Sequence, residues 1–334
     1  DDDTAYGVLT GDALFIGDVG RPDLLASIGV TASELGRMLY DSVQHKLMGL
    51  PDAVRVFPAH GAGSACGKAL STERWSTIGE QRAVNYACQP MSEADFLQVV
   101  TEGQPPAPAY FRYNATLNKQ GRAVRDTNAV IPALTDEQVE AALAAGAVLD
   151  DARDQQEFAA GHVKGSVNVP WDGRMAETVG TVFTPDQQIV IIAPPGQEQQ
   201  VATRFARIGF DNVRGYVPDP HVYLLAHQDS VQRASRLTVA QAEDAIESTH
   251  TQIVDIRNAG ELEAGMLPGA RHIPLAELAR RSTELDATRP ILLYCAGGWR
   301  SSVGASVLRA SGLPDVSDIL GGYGAWEHAH PRAC

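Results

Sequence analysis

Two uninterrupted apolar runs of strand length, IVII at 189–192 and ILLY at 291–294, stand out in the second half of the chain. After ILLY, a loop leads into VGASVLRASG, where Val303, Val307 and Leu308 recur at helical spacing and Gly312 is placed to stop the helix. Upstream of the runs, LTDEQVEAAL and LTVAQAEDAI each set a Thr three residues before a Gln, Thr135 with Gln138 and Thr238 with Gln241. That spacing is the capping-box signature of a helix start. Helices and strands therefore alternate, which predicts parallel βαβ units in an α/β fold covered on both faces.

The alternation is duplicated. DARDQQEFAAGHVKGSVNVP (Asp151 to Pro170) lies over DIRNAGELEAGMLPGARHIP (Asp255 to Pro274) without a gap, and Asp, Arg, Glu, both Gly and Pro coincide. Each unit reads as helix, strand (AVLDDAR or QIVDIR), a Gly-punctuated loop to a fixed Pro, helix, strand, loop and helix. Two α/β domains follow, at 127–232 and 233–334.

In the first 126 residues the pattern changes. TASELGRMLYDSVQHKLMGL reads as an amphipathic helix, with Thr31 and Glu34 as its capping box and Leu35, Met38, Leu39, Val43 and Leu47 on the core stripe. Asp12 follows one apolar run (YGVLTGDALFIGD) and His60 another (VRVFPAHG). An acid and a histidine placed just after strands are typical of metal ligands on a rigid sheet. Cys88 reads as a packed thiol, Cys66 in GAGSACGK as a redox candidate, and EGQPPAPAYF as the exit into a linker.

Composition narrows the function. A formal charge of -14 argues against nucleic-acid or anionic-membrane binding, which would need a basic face. The four cysteines, Cys66, Cys88, Cys295 and Cys334, form no C-x-x-C pair, which points to a reducing cytoplasm rather than a disulfide framework. No apolar run of about 18 residues is present. The chain opens without Met in what reads as a turn entering a strand pair, so it is expected to be the later part of a longer polypeptide. Whether it forms a homo-oligomer is left open.

The densest chemistry is the loop Cys295, Ala296, Gly297, Gly298, Trp299, Arg300, Ser301, Ser302. It sits between a strand's carboxyl end and a helix N-terminus, where open α/β sheets bind ligands. Two glycines let backbone N–H groups turn inward as an anion cradle, and the helix dipole adds positive charge. Such a setting favours a thiolate, the nucleophilic form, and Arg300 adds a fork of donors for an oxyanion. At the matching place the first unit reads APPGQEQQ: Ala193 replaces the cysteine and two prolines remove N–H donors.

D-x-R…E…G-x-x-x-G-[AS]…P, C-A-G-G-x-R-S and the closing GGYGAW resemble the rhodanese family of sulfurtransferases, over residues 130 to 330. The resemblance implies that Cys295 accepts sulfur, that Ala296 to Arg300 bind thiosulfate or a persulfide, and that the first unit is an inactive copy. Phosphatase members carry C-x5-R; here the spacing is C-x4-R, a poor fit for phosphate. TGDALFIGDVGRPDL, DSVQHKLMGLPDAVRVFPAHGAGSACGK and STIGEQRAVNYA resemble the carboxyl-terminal half of metallo-β-lactamase-fold proteins, an αββα sandwich, of the persulfide dioxygenase branch. That likeness implies Asp12 as the carboxylate ligand of a mononuclear Fe(II), His60 as a cavity histidine, and Arg21 near the substrate's anionic end. The family's H-x-H-x-D-H histidines have no match here. The only H-x-H, His328 with His330, reads as a solvated tail.

The expectation is a fusion that oxidises a persulfide such as glutathione persulfide with O2 and exchanges sulfur at Cys295. The alternatives are a glyoxalase II-like zinc metallo-hydrolase with accessory rhodanese domains, and a non-catalytic persulfide carrier or sensor.

Overall fold

The computed structural model describes the chain except residues 1–4, 25–28, 62, 63, 65, 69, 103, 105–107, 122–125, 127, 128, 249 and 332–334. Cys334 and much of the proline-rich linker therefore lie outside the described residues. The chain divides into two compact units, Asp1–Ala115 and Thr116–Cys334.

In the first unit, the strand Gly7–Gly11 pairs in parallel with Arg55–Pro58, which pairs antiparallel with Ser76–Thr77. A small hairpin joins Leu14–Phe15 to Asp18–Val19. Leu14, Val19, Val54 and Val56 from these strands and their connections pack with Val43, Ile78, Phe96 and Val100 from helices to form the core. The helix Ala32–Tyr40 starts on the expected capping box, with Thr31 and Glu34 bonding reciprocally, and continues as a π-helical stretch, Asp41–Leu47.

One expectation about that helix is corrected. Met38 is 64% exposed, not on the core stripe. The helix packs against Glu93–Thr101 through Gly36, where a Cβ would lie 2.2 Å from Leu97 Cδ2. A packing face running through Gly36 and Val43 leaves Met38, two residues further round, pointing to solvent.

The second unit holds the duplicated α/β architecture. One sheet has the order Val213–Tyr216, Ile189–Ile192, Val148–Asp151, Val167–Asn168, all parallel. The other has the order Ser235–Leu237, Val316–Ile319, Ile291–Tyr294, Gln252–Asp255, Arg271–His272, also all parallel. An isolated parallel bridge between Ala133 and Tyr216 supplies the first sheet's counterpart to the outer strand Ser235–Leu237. IVII and ILLY are central strands, buried along their whole length, as continuous apolar runs require. Thr135 and Thr238 both cap helices, each with its Gln closing the box.

The repeated D-x-R is a buried ion pair in both sheets. Arg153 grips Asp151 through Nε (2.9 Å) and Nη2 (2.5 Å) and bonds the Gly161 carbonyl. Arg257 grips Asp255 (Nε 3.0 Å, Nη2 2.6 Å) and bonds the Gly265 carbonyl. In each copy the arginine ties the strand end to the glycine loop eight residues on. Fork-to-fork geometry satisfies the buried charges, so the pair fixes the loop that follows the strand. Among the described residues no helix is long and apolar enough to cross a membrane.

Candidate functional site

Cys295 directly follows the Ile291–Tyr294 strand and is buried beneath its own loop. Gly298, at φ +86°, turns the chain into the helix Trp299–Ala310. A side chain there would also sit 2.8 Å from the Gly321 nitrogen, so glycine is required on two counts. The turn aims two backbone N–H groups at the sulfur: Gly298 N donates to Sγ at 3.2 Å and Ser301 N at 3.4 Å. The thiol lies 3.6 Å from Ser301 Oγ, which donates to Asp318 at 3.4 Å. Two N–H donors at a helix N-terminus offer stabilisation to a sulfur anion.

The closing GGYGAW holds this loop from behind. Tyr323 N donates to the Cys295 carbonyl (2.7 Å) and Gly324 N to the Ala296 carbonyl (2.9 Å). Gly322, at φ +57°, comes so close that a Cβ would lie 2.3 Å from the Cys295 carbonyl oxygen. Ala296 and Gly297 remain exposed, so the loop backbone is open to a small anion.

Arg300 lies within reach of Cys295, whose interaction with it adds to that of Glu261. Its two terminal nitrogens grip Glu261 at 2.7 and 2.6 Å. Burial opposes the Arg300 charge, but the Glu261 hydrogen bonds and charge outweigh it and hold its pKa up. Glu261 was visible as one of the positions shared by the two repeats, though nothing local tied it to Arg300. The sequence reading gave no role to Ser301, Asp318, Arg236 or Gln155, all of which the fold brings to this loop.

In the first copy the same turn persists without the chemistry. Gly196 (φ +82°) occupies the place of Gly298, but its N–H donates to Glu198 Oε1 at 3.0 Å, beside an alanine and two prolines.

In the first unit, Asp12 follows the Gly7–Gly11 strand and His60 follows Arg55–Pro58, and parallel pairing of those strands brings the two together. His60 Nε2 is 3.2 Å from Asp12 Oδ1. Cys66 joins them: one ligand atom from each of the three lies within 4.8 Å of the others. Burial pushes the Cys66 thiol up, eased by the Ser64 hydroxyl and reinforced by the Asp12 carboxylate. Arg21 is buried and grips Asp23 at 2.7 Å through both Nε and Nη2, while its backbone N–H donates to the Cys66 carbonyl. Cys88 is packed as expected, with burial pushing its thiol to about 12. His328 and His330 are exposed, as the solvated reading expects, but they are not a loose tail: His328 lies in the helix Gly322–Ala329, and His330 stacks on Trp326 and pairs with Glu243 at 2.7 Å.

The family model of the Rhodanese-like domain matches residues 135–217 and 238–329, together more than half of the chain. This chain belongs to the rhodanese-like family. The chain is similar to the Bacillus subtilis protein YqhL, at 32% identity over 31% of this chain and 82% of that protein. It is also similar to thiosulfate sulfurtransferase GlpE of Pseudoalteromonas translucida, at 32% identity over 28% of this chain and 90% of the relative. The fold is similar to a solved metallo-beta-lactamase from Staphylococcus aureus, at a TM-score of 0.55 and 27% identity over 64% of this chain. The chain spans 58% of that protein's length. The architecture is thus metallo-β-lactamase-like and rhodanese-like, with two rhodanese-like copies of which one carries a cysteine at the loop.

Proposed function

We propose that residues 233–334 carry a sulfurtransferase site with Cys295 as the sulfur-accepting nucleophile. The carrying observation is the pair of backbone donors, Gly298 N and Ser301 N, aimed at Cys295 Sγ at the start of a helix. The thiolate attacks the outer sulfur of thiosulfate, the S–S bond breaks with its electron pair leaving on sulfite, and Cys295 becomes a persulfide. A second thiolate or cyanide then takes the terminal sulfur, and the Cys295 thiolate returns. The same two N–H groups that face the thiolate face the persulfide anion. The name of the GlpE relative supports thiosulfate as donor. Thiosulfate:cyanide turnover tests the reading: wild type turns over and Cys295→Ala does not. Equal inactivity of the two would leave only a carrier or sensor role.

For the first unit, we infer a metallo-β-lactamase-fold site of the persulfide dioxygenase kind, favoured by the Asp12 and His60 juxtaposition at neighbouring strand ends. A mononuclear Fe(II) of this kind takes two imidazoles and one carboxylate. The described residues bring together one carboxylate, one imidazole and one thiol, which do not make that set by themselves. With His60 as the cavity histidine and not a ligand, the reading requires two imidazoles besides it next to Asp12. The net reaction would be glutathione persulfide, O2 and water giving glutathione, sulfite and two protons. Sulfite could then collect sulfur from the Cys295 persulfide as thiosulfate. Metal content and O2 uptake with glutathione persulfide decide the matter. Bound zinc without uptake would favour a glyoxalase II-like hydrolase.

A further inference from the structure

The Cys295 loop is braced by side chains that lie far from it in sequence, one of them from the copy that has no nucleophile. Arg236, on the Ser235–Leu237 strand, grips Asp318 through Nε and Nη2, both at 3.0 Å, and the pair is almost wholly buried. Arg236 Nη2 also donates to the carbonyl of Gly298 at 3.2 Å. Gln155, in the first copy, reaches the same place: Nε2 donates to the carbonyl of Trp299 at 3.4 Å, and Oε1 accepts from Arg236 Nη1 at 3.5 Å. A third contact between the copies lies nearby, where Ser306 Oγ of the Cys295 helix accepts from Asn168 N at 2.9 Å.

The braced carbonyls belong to the two peptide planes between Gly298 and Arg300. Those planes separate the two N–H groups that point at the sulfur, so fixing them fixes the spacing and aim of the donors. Asp318 holds the other end through Ser301 Oγ, on the residue that carries the second donor.

We propose that Gln155, together with Arg236 and Asp318, acts as a set of positioning residues for the Cys295 anion cradle, so that the nucleophile-free copy is a working part of the site. The proposal rests on Cys295 being the nucleophile. It gives the first copy a function that its own APPGQEQQ loop does not supply.

The test uses the full chain with Gln155→Ala, Gln155→Glu and the double variant Arg236→Gln with Asp318→Asn, which removes both charges of the pair but also takes from the buried Arg309 its nearby carboxylate, so its unfolding midpoint is read beside its rates. Three quantities are measured: the alkylation rate of Cys295 by iodoacetamide at neutral pH, followed by mass spectrometry on the Cys295 peptide; kcat and KM for thiosulfate:cyanide turnover; and the thermal unfolding midpoint. Long hydrogen bonds sit at the weak end of the usual range, so Gln155→Ala should slow alkylation and kcat by roughly twofold to fivefold, with KM for thiosulfate little changed. Gln155→Glu keeps an acceptor for Arg236 and should recover part of that loss. The double variant should lose about tenfold or more in both rates. Unchanged alkylation and kcat in Gln155→Ala at an unchanged unfolding midpoint would overturn the role of the first copy. Rates that fall only in step with the midpoint would overturn positioning as their cause. If the wild type shows no turnover, the sulfurtransferase reading fails, and the alkylation rates still decide whether the brace orders the loop.

Discussion

Asp150 offers the sharpest test of how the two copies share one scaffold. It lies on the Val148–Asp151 strand, fully buried, and neither carboxyl oxygen has a hydrogen-bond partner of normal geometry among the described residues. Burial raises its pKa well above the ordinary carboxyl value, and the neighbouring Asp151 raises it further against the Val169 backbone amide. In the folded chain the group is therefore protonated where the unfolded chain has lost its proton. The stability it permits is full below about pH 3.9 and falls as pH rises toward the folded pKa, by about 1.4 kcal/mol per unit in that window. In the second copy the corresponding residue is Val254, a member of the core with Ile256 and Leu293. Asp150→Val is close to isosteric and removes an unsatisfied polar group worth about 1–3 kcal/mol. The variant should gain about 2 kcal/mol at pH 7, or roughly 4–8 °C in unfolding midpoint for a unit of this size. Urea unfolding at pH 7 and pH 5 checks both parts, and the gain should be smaller at pH 5. No gain at pH 7, or a gain independent of pH, would refute the reasoning.

Asp255→Asn leaves the buried Arg257 without its counter-charge and should cost about 3–5 kcal/mol by denaturant unfolding, with Asp151→Asn losing a similar amount in the first copy. His162 is buried against Phe158, donates to its carbonyl, and is held by burial at about 4. The unfolded chain binds that proton below about pH 6.5, so the stability His162 permits is present above that value and lost as pH falls toward 4, on the order of 3 kcal/mol. The variant His162→Gln should flatten that part of the acid unfolding curve.

What could be read along the chain was whatever is decided locally. IVII and ILLY are buried on both faces, and each Thr-to-Gln cap is a contact over three residues, so both followed from short patterns. Cys295 and Gly298 were legible because the αL turn that aims an N–H at the sulfur demands glycine. The brace was not legible, because Arg236 and Asp318 are 82 residues apart and Gln155 and Trp299 are 144 apart. Met38 failed for a related reason: the periodicity marks an apolar stripe, but a close approach at Gly36 set the packing face. For Arg300 the sequence showed a fork of donors, and only the fold showed that Glu261 grips it beside Cys295.

The first copy separates what the scaffold needs from what the chemistry needs. It keeps the buried aspartate–arginine pair and the left-handed glycine, Gly196 at φ +82° as Gly298 at +86°, so the loop makes the same turn, although its helix starts one residue later, at Glu198. Its loop is not the same cradle: Pro194 and Pro195 have no N–H, and the Gly196 N–H, counterpart of the Gly298 donor, is taken by Glu198. Restoring the thiol alone should therefore not restore the reaction. In a Cys295→Ala background, Ala193→Cys should give thiosulfate:cyanide turnover no higher than the background, although the thiol itself is detectable after unfolding. Turnover above background would mean that a cysteine at a strand end is sufficient without the N–H cradle. The assignment of Gly298 and Ser301 as the groups that make Cys295 a nucleophile would then fall.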